Sequence, residues 1–169
     1  MYRSGSEVFV AWDLLLIRIM EMIRLNKKKK ILVVDDEKDI CVFFQRLLKN
    51  KDVDILLAHS GEQALRLLRE QTISVVLLDL VLPDTNGMEL LKEIKVLQPF
   101  CVVIMMTGLS TTREAIRAIR HGAYDFLMKP FDSIDELEKL IGEAADIRIM
   151  WQNDGHGDHH PYPRRVQHH

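Results

Sequence analysis

Only two of the 169 residues are cysteine, Cys41 and Cys101, and each stands alone in an apolar stretch. A disulfide framework is excluded, and both thiols are expected as reduced core residues of a cytoplasmic protein. No run of about 18 uncharged apolar residues exists, so nothing needs to span a bilayer. A positive excess is missing too. The formal net charge is -2, which gives no overall field for nucleic acid. The absence of GxGxxG after the first apolar run counts against a dinucleotide-binding domain, and the absence of GxxxxGKS/T counts against a P-loop ATPase. No repeat, collagen-like or Pro-rich segment occurs. The chain is long enough for one domain with extensions at either end.

What the chain does have is alternation. Ile31–Val34, Ile55–Ala58, Val75–Leu80, Val102–Met106 and Tyr124–Met128 are short apolar runs. Runs of this kind fit strands buried on both faces. Between and after them, apolar residues recur at helical spacing: Ile40, Phe43, Phe44, Leu47 and Leu48; Ala64, Leu67 and Leu68; Leu90, Leu91, Ile94 and Leu97; Ala115, Ile116 and Ile119; Leu137, Leu140, Ile141 and Ala144, with the last helix running to Ile149. Ser60 with Gln63, Ser110/Thr111 with Glu114, and Ser133 with Glu136 have the spacing of capping boxes. Gly122 is placed to close the fourth of these helices. Five βα units in a row predict an α/β fold, a doubly wound parallel sheet with helices on both faces.

In such a sheet every strand points its C-terminal end at one rim, where ligands bind. Asp35 and Asp36 end the first run, Asp79 the third, Thr107 the fourth and Lys129 the fifth. Three carboxylates gathered at one point repel each other unless a cation is present. A hard divalent cation such as Mg²⁺ (or Mn²⁺) takes oxygen ligands, and Lys129 supplies a fixed positive charge. A carboxylate so held can attack phosphorus and form an aspartyl phosphate. Thr107 offers a hydroxyl to a phosphoryl oxygen.

These residues, with Leu78-Asp79-Leu80-Val81-Leu82-Pro83, Gly87, Thr107-Gly108 and Lys129-Pro130-Phe131, resemble the receiver domain of bacterial two-component response regulators over roughly residues 29–145. The resemblance implies a flavodoxin-like strand order 2-1-3-4-5 and a receiver domain over 29–149. It implies Asp79 as phosphoacceptor, with Asp36 and Asp79 binding the metal directly, Asp35 through water, and the Val81 backbone carbonyl completing the protein ligands. Lys129 would pair with the phosphate, and its bond to Pro130 would be cis. Thr107 and Phe126 would form the switch, Phe126 standing where the family often has Tyr. The implied partners are a sensor histidine kinase or phosphotransfer protein, and a downstream protein target on the face of the fourth helix, fifth strand and fifth helix, around Arg117, Arg120, His121 and Tyr124. No direct contact with nucleic acid is expected, and a homodimer is open. The implied activity is that of a signalling switch, not an enzyme acting on other molecules. No output domain is visible, so a stand-alone receiver and a fragment of a longer regulator both remain.

Taken singly, each residue has a plainer role: Asp35-Asp36 as a helix cap, Asp79 as a turn anion, Thr107 as a strand-end hydroxyl, Lys129 as a solvated side chain. Together they require five coincidences on one rim. A hydrolase of the haloacid dehalogenase type needs a second Asp two residues after the nucleophile, and Val81 stands there. An interaction module with a vestigial pocket is the other rival.

Residues 1–28 fit least well with the rest. Asp13, Arg18, Glu21 and Arg24 fall within an arc of roughly 140° if 8–25 is a helix, which makes that stretch amphipathic. It reads as a partner or dimerisation helix, as a membrane-surface helix anchored by Lys27–Lys30, or as upstream sequence ahead of Met20 or Met22, the last preferred. After residue 150 the chain turns to Gly, His, Pro and Arg and is expected to be disordered. Its histidines, among them His156, His159 and His160, read as solvated and not as metal ligands.

Overall fold

A computed structural model describes residues 28–108 and 112–153, together with 15, 16 and 18. Its elements alternate without exception: β1 (Lys29–Val34), α1 (Lys38–Leu47), β2 (Val53–Ala58), α2 (Gly61–Glu70), β3 (Val75–Asp79), α3 (Gly87–Leu97), β4 (Val102–Thr107), α4 (Thr112–Arg120), β5 (Asp125–Met128) and α5 (Ile134–Asn153). The strands form one sheet in the order β2-β1-β3-β4-β5. Every neighbouring pair is parallel. This is the doubly wound, flavodoxin-like arrangement that the alternation and the resemblance lead one to expect.

Strand parity divides the interior into two layers. Leu32, Val34, Val76, Leu78, Val103 and Met105 point to one face and pack with Ala64, Leu68, Leu90, Leu91, Ile94 and Ala118 from α2, α3 and α4. Ile31, Val33, Val75, Leu77, Val102, Ile104 and Met106 point to the other and meet Cys41, Phe44, Leu137, Ile141 and Ala144 from α1 and α5. The three central strands lack polar alternation because each is covered twice. Cys41 and Cys101 are free thiols inside these layers.

Helix ends follow local chemistry. Ser60 Oγ accepts the Gln63 N–H, and the Gln63 side chain accepts the His59 N–H, a capping box displaced by one residue. The Ser133 hydroxyl accepts the Glu136 N–H at the head of α5. Gly122, at φ +95°, closes α4 with paired bonds, Gly122 N–H to Ile119 O and Ala123 N–H to Ala118 O. The cap expected at Ser110/Thr111 lies outside the described residues. So do most of 8–25, of which Leu15, Leu16 and Arg18 are helical, and the tail beyond 153. Strand ends differ from expectation by one or two residues, and the end of the last helix by more. The last helix does not stop at Ile149 but continues through Asn153. No helix breaker stands between Gly142 and Gly155, so nothing local ends it sooner. Among the described residues no helix is long and apolar enough to cross a membrane.

The loop after β3 is pinned tightly. The Gly87 N–H donates to Leu80 O at 2.8 Å, and Val81 pairs with Asn86 in an isolated antiparallel bridge. A Cβ at Gly87 would lie 2.3 Å from Asp79 O and 2.8 Å from the Leu80 Cα, both backbone atoms with no room to yield. Gly87→Ala is therefore expected to destabilise the protein by about 2 kcal/mol or more, seen as a lower urea midpoint at unchanged m-value. An unaltered midpoint would contradict the close approach.

Candidate functional site

Sheet register builds the site. Val34 lies opposite Leu78, so Asp35, one residue on, stands beside Asp79. Asp79 lies opposite Met106, and Thr107 opposite Met128. Lys129 follows Met128, and its N–H donates to Thr107 O at 2.8 Å. Residues far apart in sequence thus meet on one rim because four strands end there together.

Asp35, Asp36 and Asp79 place carboxylate oxygens within 4.8 Å of one another. Asp35 and Asp79 are buried, while Asp36 is exposed. The Lys129 Nζ crosses the site, 2.7 Å from Asp35 Oδ2 and 2.9 Å from Asp79 Oδ2. A third carboxylate, Glu37, reaches the same ammonium at 2.9 Å from the solvent side. Burial alone would push the Lys129 ammonium down, but Asp35, Glu37 and Asp79 together hold it well above the ordinary lysine value. Lys129 is thus charged throughout the physiological range.

Asp35 is under the opposite strain. Burial pushes its carboxyl above the ordinary value, against the pull of Lys129 and of the Glu37 N–H, which Asp35 Oδ1 accepts at 3.0 Å. Its Oδ2 lies beside the lysine but makes no well-aligned hydrogen bond. A buried carboxylate oxygen left in this state suits a hard cation or the water around one. One ammonium facing three carboxylates leaves the pocket net negative, and all the offered donors are oxygens. The residues present therefore fit Mg²⁺ or Mn²⁺.

Surrounding groups fix the walls. The Val81 N–H leans toward Asp79 Oδ1 at 3.4 Å, while the Val81 side chain faces solvent. Thr107 is buried at the end of β4. Phe126 is half-buried on β5, against the layer formed with α2, α3 and α4. The Lys129–Pro130 peptide bond is cis, and Phe131 stacks on Phe43 of α1 with centroids 5.5 Å apart. Arg117, Arg120 and His121 are exposed on or just after α4, with Tyr124 half-buried beside them.

Two residues at the site were not found from sequence. Glu37 reads there as the tail of an acidic run. Its partner is 92 positions away, and nothing local announces it. Asp84, read as turn chemistry, caps a helix it does not belong to. Its two oxygens accept the Gly61 and Glu62 N–H groups at 2.8 and 2.9 Å. Those bonds hold the Asp84 carboxyl below the ordinary range. Asp35 and Asp36 do not cap α1. Its N-cap is Glu37, whose side chain makes no capping bond.

A family profile described as the response regulator receiver domain matches residues 31–142. The chain belongs to the response regulator receiver family. This receiver domain is 41% identical over 114 residues to the transcriptional regulatory protein ZraR of Escherichia coli K12, covering 68% of this chain and 26% of that one. The chain thus spans about a quarter of that relative's length. Its fold matches a CheY-like receiver domain from Methanospirillum hungatei JF-1 at a TM-score of 0.70, with 27% identity, over 74% of this chain and 99% of that one. It also matches a response regulator from Burkholderia pseudomallei that carries a phosphorylated aspartic acid and a calcium ion, at a TM-score of 0.62 and 25% identity, over 76% of each chain. The family serves two-component signal transduction.

The buried acid has a measurable consequence. Because the folded-state value of Asp35 lies above its unfolded value of 3.8, its ionised form opposes folding. That opposition is absent below 3.8, grows as pH rises from there to the folded value and is complete above it. Asp35→Asn is expected to exceed wild type in stability by about 1 kcal/mol near neutral pH in EDTA, with the gain shrinking as pH falls toward the ordinary carboxylate range. Urea unfolding across that interval checks the sign. A gain that grows on acidification would contradict it.

Proposed function

We propose that Asp79 accepts a phosphoryl group from the phosphohistidine of a sensor kinase or phosphotransfer protein, in a reaction that requires Mg²⁺ or Mn²⁺. The observation that carries this reading is the Lys129 ammonium at 2.9 Å from Asp79, in a pocket where Asp35 and Asp36 also converge. Asp36 and Asp79 would hold the cation directly and Asp35 through water, and the Val81 carbonyl would complete the protein ligands. When bound, the cation neutralises charge on the transferring phosphoryl oxygens.

The chain's own residues do the rest. The Asp79 carboxylate attacks phosphorus, the oxygen–phosphorus bond forms and the phosphorus–nitrogen bond to histidine breaks. Lys129 moves its charge from the Asp79 carboxylate to the new phosphoryl oxygens, which carry more. The Thr107 hydroxyl donates to one of them and draws the end of β4 inward. Phe126 then fills the space vacated. The face of α4, β5 and α5, with Arg117, Arg120, His121 and Tyr124, repacks and changes its affinity for a downstream protein. This is a two-state shift biased by local charge. It gives no turnover of external substrate, which supports reading the domain as a switch and not as an enzyme.

Incubation with acetyl phosphate and Mg²⁺, followed by intact mass measurement, tests the acceptor. Wild type is expected to gain a single phosphoryl increment that chelation of the metal prevents, and Asp79→Asn to gain none. An increment that persists on the Asn variant would rule out Asp79.

A further inference from the structure

Lys129 is crowded by carboxylates. Its ammonium donates to Glu37 and Asp79 at 2.9 Å each and stands 2.7 Å from Asp35 as an ion pair. An incoming phosphoryl oxygen competes with all three for that charge. Asp35 and Asp79 are buried and fixed to strand ends by the sheet register. Glu37 differs from both, since its side chain is 61% exposed and comes from the first residue of a helix cap. That position favours Ser, Thr, Asp or Asn, whose side chains can cap. The Glu37 side chain makes no such bond to α1, and its carboxylate is turned to the lysine instead. Its withdrawal into water would cost only what an exposed ion pair is worth.

We propose that Glu37 is a displaceable counter-ion that occupies Lys129 until phosphoryl transfer and selects phosphoryl donors by charge. This rests on the reading of Asp79 as acceptor. Standing on the solvent side of the lysine, the Glu37 carboxylate repels a dianionic donor more than a monoanionic one. It acts through Lys129 and touches no reacting atom, so it is a specificity-determining residue. Because it makes no capping bond, its amide variant should leave α1 intact.

Initial phosphorylation rates at saturating Mg²⁺ near neutral pH, read by intact mass, test this with acetyl phosphate as the dianionic donor and phosphoramidate as the monoanionic one. Glu37→Gln is expected to raise the acetyl phosphate rate by about two- to five-fold, to raise the phosphoramidate rate less, and to lose the difference in concentrated salt. A titration with inorganic phosphate, followed by backbone amide shifts, should show tighter binding by a similar factor without any chemistry. Equal changes for both donors, or unchanged phosphate affinity, would overturn the role given to Glu37. If neither wild type nor variant took up a phosphoryl group, the reading of Asp79 would fail first and this proposal with it. Labelling of both proteins at equal rates would sink the counter-ion alone.

Discussion

The ammonium of Lys129 is the interaction on which the site depends. Without it, Asp35 and Asp79 would be buried carboxylates side by side with no counter-charge, a state that proteins avoid by protonation or by opening. With it, the two buried carboxylates share one positive charge, at 2.7 and 2.9 Å. Burial makes the arrangement expensive, and the same burial makes each remaining charge effective. The lysine therefore stabilises the resting pocket, and under the proposed chemistry it is also the group that changes partners.

That single amine works only because the sheet delivers its partners accurately. Val34 against Leu78, Asp79 against Met106 and Thr107 against Met128 are backbone pairings made deep in the sheet. They place the polar residues that follow with no contribution from those residues themselves. A shift of one residue in any pairing would turn a whole strand over between the two interior layers. The apolar parity that separates the α1/α5 layer from the α2/α3/α4 layer thus also protects the position of the rim.

The same logic explains what could be read from sequence. Strands β1, β3 and β4 were legible as unbroken apolar runs because both of their faces are covered, and their polar ends followed from chain direction. Thr107 and Lys129 could be placed at the rim in this way. Glu37 could not, since its meaning lies in a side chain that reaches across to β5 and no local pattern encodes that reach. Gln98 is similar. Its amide donates to Leu68 O and Gln71 O and accepts the Ile73 N–H, tying the end of α3 to the end of α2 and the start of β3. Gly87 was visible as a turn residue, yet the need for a missing Cβ arises from the Asp79 backbone passing beneath it. The end of α5 was misplaced by four residues because no breaker marks it.

Asp84 holds the first turn of α2 with both carboxylate oxygens while belonging to the short loop that begins at Asp79. The loop is also clamped at its far end by the Gly87–Leu80 bond. Slack is therefore small between Asp79 and the head of α2, on the side of the sheet away from β5. Any displacement of the Asp79 backbone would tug that helix like a strap.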